Sequence, residues 1–344
     1  MKRKLASIRT VKEVRPIKDA DMIELVIVDG WQVVSKKDEL KAGDLCVYFE
    51  IDSFLPIKPE YEFLRKSCYK SFDDGSEGFR LRTMTMRGQV SQGLVLPVAP
   101  IFGDDVPEIG TDVTDMLGVV KYEPPMPPEL DGIAKGLFPG FITKTDEERI
   151  QNLEHYFTEH EDLEFEITIK LDGTSCTFYR REGEFGVCSR NTEWLPESNN
   201  TQWRIAKELK IQERLESYGR DLALQGEIIG ESVEGNNEKI RGQEFYLFSI
   251  FDISQSRYLD FQERADVLDD LNSLGTEIKH VPIIGVAKIF KRFKTVDEMI
   301  ELATGMSLNP RRNREGLVFK SRPVDDYVVT FKVIANKYLL KQKD

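Results

Sequence analysis

The chain has 344 residues, 40% of them hydrophobic and 31% charged, which is enough for two domains that each bury a core. No apolar run approaches the roughly 20 residues of a membrane-spanning helix, and no apolar stretch follows the basic start, so a membrane protein and a secretory signal are both excluded from the expectation. The net charge of −12 excludes a uniformly basic surface, yet it leaves a basic cleft open, because phosphate contacts depend on local charge.

The acidic runs Asp146-Glu147-Glu148 and Glu159-His160-Glu161-Asp162 read as solvated surface, and Arg311-Arg312-Asn313-Arg314 as a local basic cluster. Cys46, Cys68, Cys176 and Cys188 form no C-x-x-C pair, which argues against a zinc ribbon or a disulfide framework and for a reducing, intracellular setting.

In chain order, the first 97 residues alternate short β-branched and aromatic runs with turn residues: Ile23 to Val28, Asp29-Gly30, Trp31 to Val34, then Leu45 to Phe49. This is the signature of a small β-barrel, and Asp29-Gly30 is a hairpin turn. Phe79 to Arg82 and Gly93 to Leu96 supply further strands. The first domain is assigned to residues 1–120. Four prolines between Tyr122 and Glu129 forbid a regular helix, so 121–140 is expected to be an extended linker.

Residues 141–344 form the second domain. Ile150, Leu153 and Phe157 have helical spacing, which predicts a helix over Asp146 to Phe157. A strand from Glu164 to Ile169 follows and ends on Lys170. Further strands are expected at 177–180, 185–189, 222–229, 245–252, 316–320 and 328–333, and helices at 201–218 and 262–274. The class is α+β with largely antiparallel sheets and flanking helices.

Lys170 opens the sequence Lys170-Leu171-Asp172-Gly173. A lysine is an ammonium at neutral pH, so a nucleophilic lysine needs desolvation or nearby positive charge to lower its pKa. The end of a β-branched strand offers desolvation, and Gly173 would let backbone approach a ligand. Four residues alone carry little weight. The weight comes from an ordered series: Ser189-Arg190, Gly226-Glu227-Ile228-Ile229-Gly230, Ser249-Ile250-Phe251-Asp252, Glu315-Gly316-Leu317-Val318-Phe319-Lys320 and Phe331-Lys332.

Together these resemble the nucleotidyltransferase motifs of covalent ligases and capping enzymes, over about the last 200 residues. In detail the chain is most similar to ATP-dependent RNA ligases of the Deinococcus and Naegleria type, in which an N-terminal OB-like barrel precedes the ligase domain. Lys144 to Asn152, and Ala335-Asn336-Lys337-Tyr338-Leu339-Leu340 at the end, add to the resemblance.

The resemblance implies an enzyme that seals a 3′-hydroxyl to a 5′-phosphate through lysyl-AMP and an adenylylated 5′ end, with RNA preferred on the 3′-hydroxyl side of a nicked duplex. ATP is the implied substrate, Mg²⁺ or Mn²⁺ the implied metal, and a monomer without membrane association the implied form. Lys170, Lys320 and Lys332 would be catalytic. Ile169, Ser175, Arg149, Arg190, Glu227 and Phe251 would join them around the nucleotide, with Glu227 on the ribose and Phe251 stacked on adenine.

Glu315 would engage the metal, since hard cations favour carboxylate oxygen. Related enzymes often end on two lysines spaced K-x-K, but Val333 and Ile334 follow Lys332, and Lys337 is the candidate for the second cation.

The first domain looks like an OB barrel of the tRNA-binding kind. Trp31 and Tyr48 could stack bases, but a small barrel packs its inward positions, so they are expected inside. Arg80, Arg82 and Arg87 are the candidates for nucleic-acid phosphate. The alternatives are an mRNA-capping guanylyltransferase, disfavoured because twelve residues after Lys332 leave no room for a further OB domain, and a nucleic-acid-binding protein with an inactive ligase domain.

Overall fold

The computed structural model describes residues 4–18, 20–72, 75–122, 132–324 and 327–340. The chain divides into two compact units, residues 1–126 with 150–154 and 339–344, and residues 127–149 with 155–338. Within the expected linker, residues 123–131 lie outside the described residues.

The first unit contains strands β1 (Ala6–Pro16), β2 (Ile23–Val28), β3 (Trp31–Lys36), β4 (Leu45–Phe49), β5 (Ser53–Leu55), β6 (Tyr69–Ser71), β7 (Glu77–Arg80), β8 (Thr83–Met86), β9 (Gln89–Gln92), β10 (Leu94–Pro97) and β11 (Val120–Lys121). Five pair in the order β10-β4-β1-β2-β3, four in the order β11-β5-β7-β6, and β8-β9 is a separate hairpin. The long β1 curls the first sheet. Its residues 6–10 pair with β4 and 11–16 with β2, and the register slips between Val11 and Glu13, where an extra residue bends a strand and increases its twist.

Ile8, Val47, Phe49, Leu55, Tyr61 and Phe79 fill the interior. Trp31 and Tyr48 are buried with ring centroids 5.7 Å apart, so they pack inside and are closed to bases. The turn after β2 is the expected hairpin, with Asp29 at φ 48° and Val28 opposite Trp31.

Residues 150–154 belong to this unit. The Trp31 indole donates to Asn152 Oδ1, the Asn152 amide donates to Glu50, and the Gly30 amide donates to the Gln151 carbonyl at 3.0 Å. The helix predicted over 146–157 is absent. In its place are a bridge between Arg149 and Lys332, a 3₁₀ turn at Ile150–Asn152 and one helical turn at Tyr156–Glu159. Its three apolar residues never shared a face, because Ile150 and Leu153 belong to the first unit while Phe157 packs against Phe290 in the second.

The second unit contains β12 (Ala134–Leu137), β13 (Phe165–Lys170), β14 (Thr174–Arg181), β15 (Glu184–Cys188), β16 (Thr192–Trp194), β17 (Leu222–Gly230), β18 (Gln243–Asp252), β19 (Arg257–Tyr258), β20 (Lys279–His280), β21 (Ile283–Ala287), β22 (Gly316–Val324) and β23 (Tyr327–Ile334). The larger sheet runs β12-β16-β15-β14-β17-β18-β19, with β20 parallel to β18, and the smaller runs β21-β13-β22-β23.

One face of the larger sheet, through Phe178, Leu224 and Leu247, packs on Trp203, Leu215 and Leu271 of three helices. The long helix predicted over 201–218 is two, Thr201–Glu208 and Ile211–Tyr218. The break falls at Lys210, which takes a left-handed φ of 50° that an α-helix cannot accommodate. Helix Phe261–Asn272 starts on a capping box, Asp260 with Glu263, as its sequence predicts.

The smaller sheet is locked by aromatic rings. Phe319 and Phe331 stack at 4.5 Å and 4°, and Phe165 meets Phe331 edge-on at 5.4 Å. These contacts hold β13, β22 and β23 in one register, which sets Lys170 opposite Gly316, Lys320 opposite Glu166 and Lys332 opposite Val318.

Candidate active site

Lys170 closes β13, and its Nζ donates to Glu315 Oε2 at 2.7 Å, directly before β22. The Lys170 side chain keeps 30% of its surface and that of Glu315 15%, so the pair is half-buried and still reached by solvent. Burial works against the Lys170 charge, but the Glu315 and Glu227 carboxylates outweigh it and hold the ammonium above the ordinary lysine value. The expectation of a lowered pKa at Lys170 is therefore reversed: without ligand the nucleophile candidate is a paired cation.

Glu227 lies on β17 across from Ser175 on β14. Burial pushes its carboxyl up to about 8, with Lys170 opposing and Glu315 and Asp172 adding to the rise. Burial likewise lifts Asp172 to about 6, opposed by a hydrogen bond from the Tyr338 hydroxyl at 2.6 Å. Three carboxylates thus crowd the end of β13. Gly173 is required by the protein itself, since a Cβ there would stand 2.3 Å from the Ile228 carbonyl oxygen of β17. Gly316 meets the same limit, 2.1 Å from the Val333 carbonyl.

The two other lysines are held separately. Lys320 donates to the Phe248 carbonyl at 2.8 Å and to the Ser249 hydroxyl. Burial lowers its pKa to about 8, against the pull of Glu147. Lys332 donates to Asp146 at 2.9 Å, and Asp146 also meets Arg190 at 3.6 Å. The Lys332 amide donates to the Glu148 carbonyl at 2.8 Å, beside the bridge to Arg149.

Residues 146–148, read from sequence as solvated surface, instead serve this cluster: Asp146 accepts the cations, and the charge of Glu147 acts on both Lys170 and Lys320. An acidic run looks the same in sequence whether its partners are water or distant lysines.

Ile169 is buried, with its amide on the Pro282 carbonyl at 2.9 Å. Phe251 departs from its expected role. It is 3% exposed in a cluster with Tyr179 and Ala223, edge-on to Tyr258 at 5.1 Å, and offers no open face for stacking. Phe248, three residues earlier on β18, is half-buried with its ring centroid 5.6 Å from Lys320 Nζ. Ser249, Phe248, Glu147 and Tyr338 are the residues that sequence reasoning missed. Of these, Ser249 lay inside a motif, Glu147 inside the Lys144 to Asn152 segment and Tyr338 inside the terminal signature. Lys337 is exposed.

In the first unit, Arg80 and Arg82 line one cavity of about 160 Å³ with Arg65, Lys66 and Lys70. The Arg80 guanidinium lies 4.2 Å from the Tyr122 ring centroid, and Arg65 is paired with Glu62. Arg87 is apart from this cavity, exposed in the β8–β9 turn at φ 48°.

Among the described residues no group of three His, Cys, Asp or Glu side chains is arranged to hold a metal ion, and no helix is long and apolar enough to cross a membrane. All four cysteines are free and buried.

An OB-fold domain model matches residues 5–98, and the RNA ligase family model matches residues 163–334. Among solved structures, a point mutant of Naegleria gruberi RNA ligase with AMP and Mn is 46% identical, with a TM-score of 0.90 over 99% of this chain and 100% of that one. Another point mutant of the same ligase, with ATP and Mn, is 46% identical with a TM-score of 0.89 over 99% and 100%. The same ligase with PPi gives 46% and 0.88 over 98% of each chain. No curated protein matches the chain.

Proposed function

The chain belongs to the RNA ligase family, and from that premise we propose that Lys170 is the nucleophile of an ATP-dependent enzyme that joins a 3′-hydroxyl to a 5′-phosphate. The observation that carries this reading is the Lys170–Glu315 pair at 2.7 Å, set among Asp172 and Glu227.

In the first step Lys170 gives up its ammonium proton to water at the exposed side of its pair with Glu315, the freed amine nitrogen bonds to the α-phosphorus of ATP, the bond to the β-phosphate oxygen breaks, and pyrophosphate leaves with the electron pair. AMP then passes to the 5′-phosphate, and the 3′-hydroxyl displaces it. Charge on the phosphoryl oxygens calls for fixed cations. Lys320 and Lys332 are suited to this, Lys332 by exchanging Asp146 for phosphate. Arg149 and Arg190 serve the remaining phosphates, and Ile169, Ser175 and Glu227 bind the nucleoside. Phe248 supports adenine better than Phe251, because its ring is accessible beside Lys320.

Carboxylate oxygens suit Mg²⁺ or Mn²⁺, and with no three-residue nest among the described residues, Glu315 is the candidate to hold the ion largely through water. Bound there, the ion would supply positive charge to the phosphoryl oxygens and weaken the grip of Glu315 on Lys170.

By resemblance to the family we take the substrate to be a nicked duplex with RNA on the 3′-hydroxyl side, and Arg80, Arg82 and Arg87 of the first unit as cations for its phosphates. The protein acts as a monomer inside the cell. The test is mass spectrometry after incubation with ATP or GTP and Mn²⁺. One AMP on Lys170, absent in Lys170→Ala, is expected. Labelling by GTP alone, or an adduct that survives Lys170→Ala, overturns the reading.

A further inference from the structure

Tyr338 lies in the one-turn helix Asn336–Leu339 that follows β23, half-buried beside the exposed Lys337. Its hydroxyl donates to Asp172 Oδ1 at 2.6 Å across 166 positions of sequence. Its own amide donates to the Ala335 carbonyl at 3.0 Å, and the Ala335 amide donates to the Glu315 carbonyl at 2.9 Å. Residues 335–338 therefore touch two of the three segments that deliver carboxylates to Lys170, the Lys170-Leu171-Asp172-Gly173 turn through a side chain and the Glu315 segment through backbone.

The two anchors differ in what they can control. A backbone bond to Glu315 holds that strand end whatever residue stands at 335. The Tyr338 bond is a single side-chain donor, and it fixes which way Asp172 faces. Asp172, Glu227 and Glu315 repel one another, since Glu315 makes ionisation harder at both of the others and Asp172 does so at Glu227. A carboxylate in such a group has no partner within the group to set its rotamer. A donor to the charged form favours that form, and the Tyr338 hydroxyl acts in this direction on Asp172, against burial.

We propose that Tyr338 is a positioning residue for transfer of AMP to Lys170, its hydroxyl setting the orientation of Asp172 beside the nucleophile while residues 335–338 strap the Lys170 turn to the Glu315 segment. This rests on the ligase reading above. Tyr338 meets none of the reacting atoms and acts through Asp172. Reacting groups must be held within about 0.5 Å of productive geometry by such supporting bonds, and a displacement of about 1 Å costs on the order of a hundredfold in rate.

The test uses the full chain. Tyr338→Phe removes one oxygen and keeps the ring. Single-turnover formation of the AMP adduct with Mn²⁺ is followed by mass spectrometry across a range of ATP concentrations, with thermal unfolding as the check on folding. The maximal rate is expected to fall about tenfold, with half-saturating ATP within about twofold of wild type and an unchanged Tm. In an Asp172→Ala background the same substitution is expected to cost nothing further, because the hydroxyl has lost its acceptor.

Adduct formation by the wild-type protein is the test of the ligase reading itself and is read first. Once wild type forms the adduct, a Tyr338→Phe protein with wild-type rate and half-saturation overturns the strap. So does a loss confined to ATP affinity, or losses that simply add in the double variant.

Discussion

Lys170 and Glu315 stand 2.7 Å apart as ammonium and carboxylate, so the residue proposed to attack phosphorus rests in its least nucleophilic form. A neighbouring carboxylate stabilises the protonated amine. Glu315→Gln is therefore expected to lower the Lys170 pKa and to raise the reactivity of its amine several-fold toward an acylating reagent at pH 8 without ATP. Mass mapping of the modified peptide checks this. Equal modification in the two proteins would show that Glu315 does not restrain Lys170.

Glu227 provides a stability test with a definite sign. Its carboxyl is raised from 4.5 to about 8, burial being the largest cause. The folded state thus holds a proton that the unfolded chain releases between those values, and stability from this group, present below pH 4.5, is lost as pH rises toward 8. Glu227→Gln is expected to unfold at about the wild-type temperature near pH 4.5 and at a higher one at pH 8, with no AMP adduct at either. A gap between the two melting curves that is the same at both pH values would contradict the assignment.

Lys320 is lowered to about 8 by burial. A phosphate brought to its ammonium would raise that value, so ATP binding at pH 8.5 is expected to take up a proton. Calorimetry in two buffers of different ionisation enthalpy measures this uptake. Lys320→Met should reduce it, and an unchanged proton count would place the titrating group elsewhere.

Glu166 and Arg264 form an ion pair with side chains 3% and 4% exposed, joined at 2.6 and 2.8 Å. Removing one partner of a buried pair leaves an uncompensated charge, at a cost of about 3–5 kcal/mol. Glu166→Ala is expected to lose that much in denaturant unfolding. Glu166→Met with Arg264→Leu should recover most of it. A single variant within about 1 kcal/mol of wild type would mean that water reaches the pair.

Local pattern carried far in this chain. Strands are visible where β-branched and aromatic residues cluster, and β14, β17, β18, β22 and β23 occur at the expected places with somewhat longer ends, while β15 is shifted by one residue. The capping box at Asp260 and the hairpin at Asp29 are local chemistry and could be read directly. The strands at Ala134–Leu137, Thr192–Trp194 and Ile283–Ala287 were missed. No residue of the last is buried, so the apolar pattern that marks a covered strand says little there.

By itself the sequence marked Glu227 and Glu315 as companions of Lys170, because each stands at a strand end or strand face whose pattern is local. Tertiary structure alone decided what each residue meets. Glu315 reaches Lys170 across 145 positions, Lys332 reaches Asp146 across 186 and Tyr338 reaches Asp172 across 166. The sign of the Lys170 shift, the burial of Phe251 and the use of Asp146 and Glu147 as partners of lysines all follow from such contacts. Electrostatic interaction and packing depend on distance in space, and two sheets folded from separate stretches of chain set those distances.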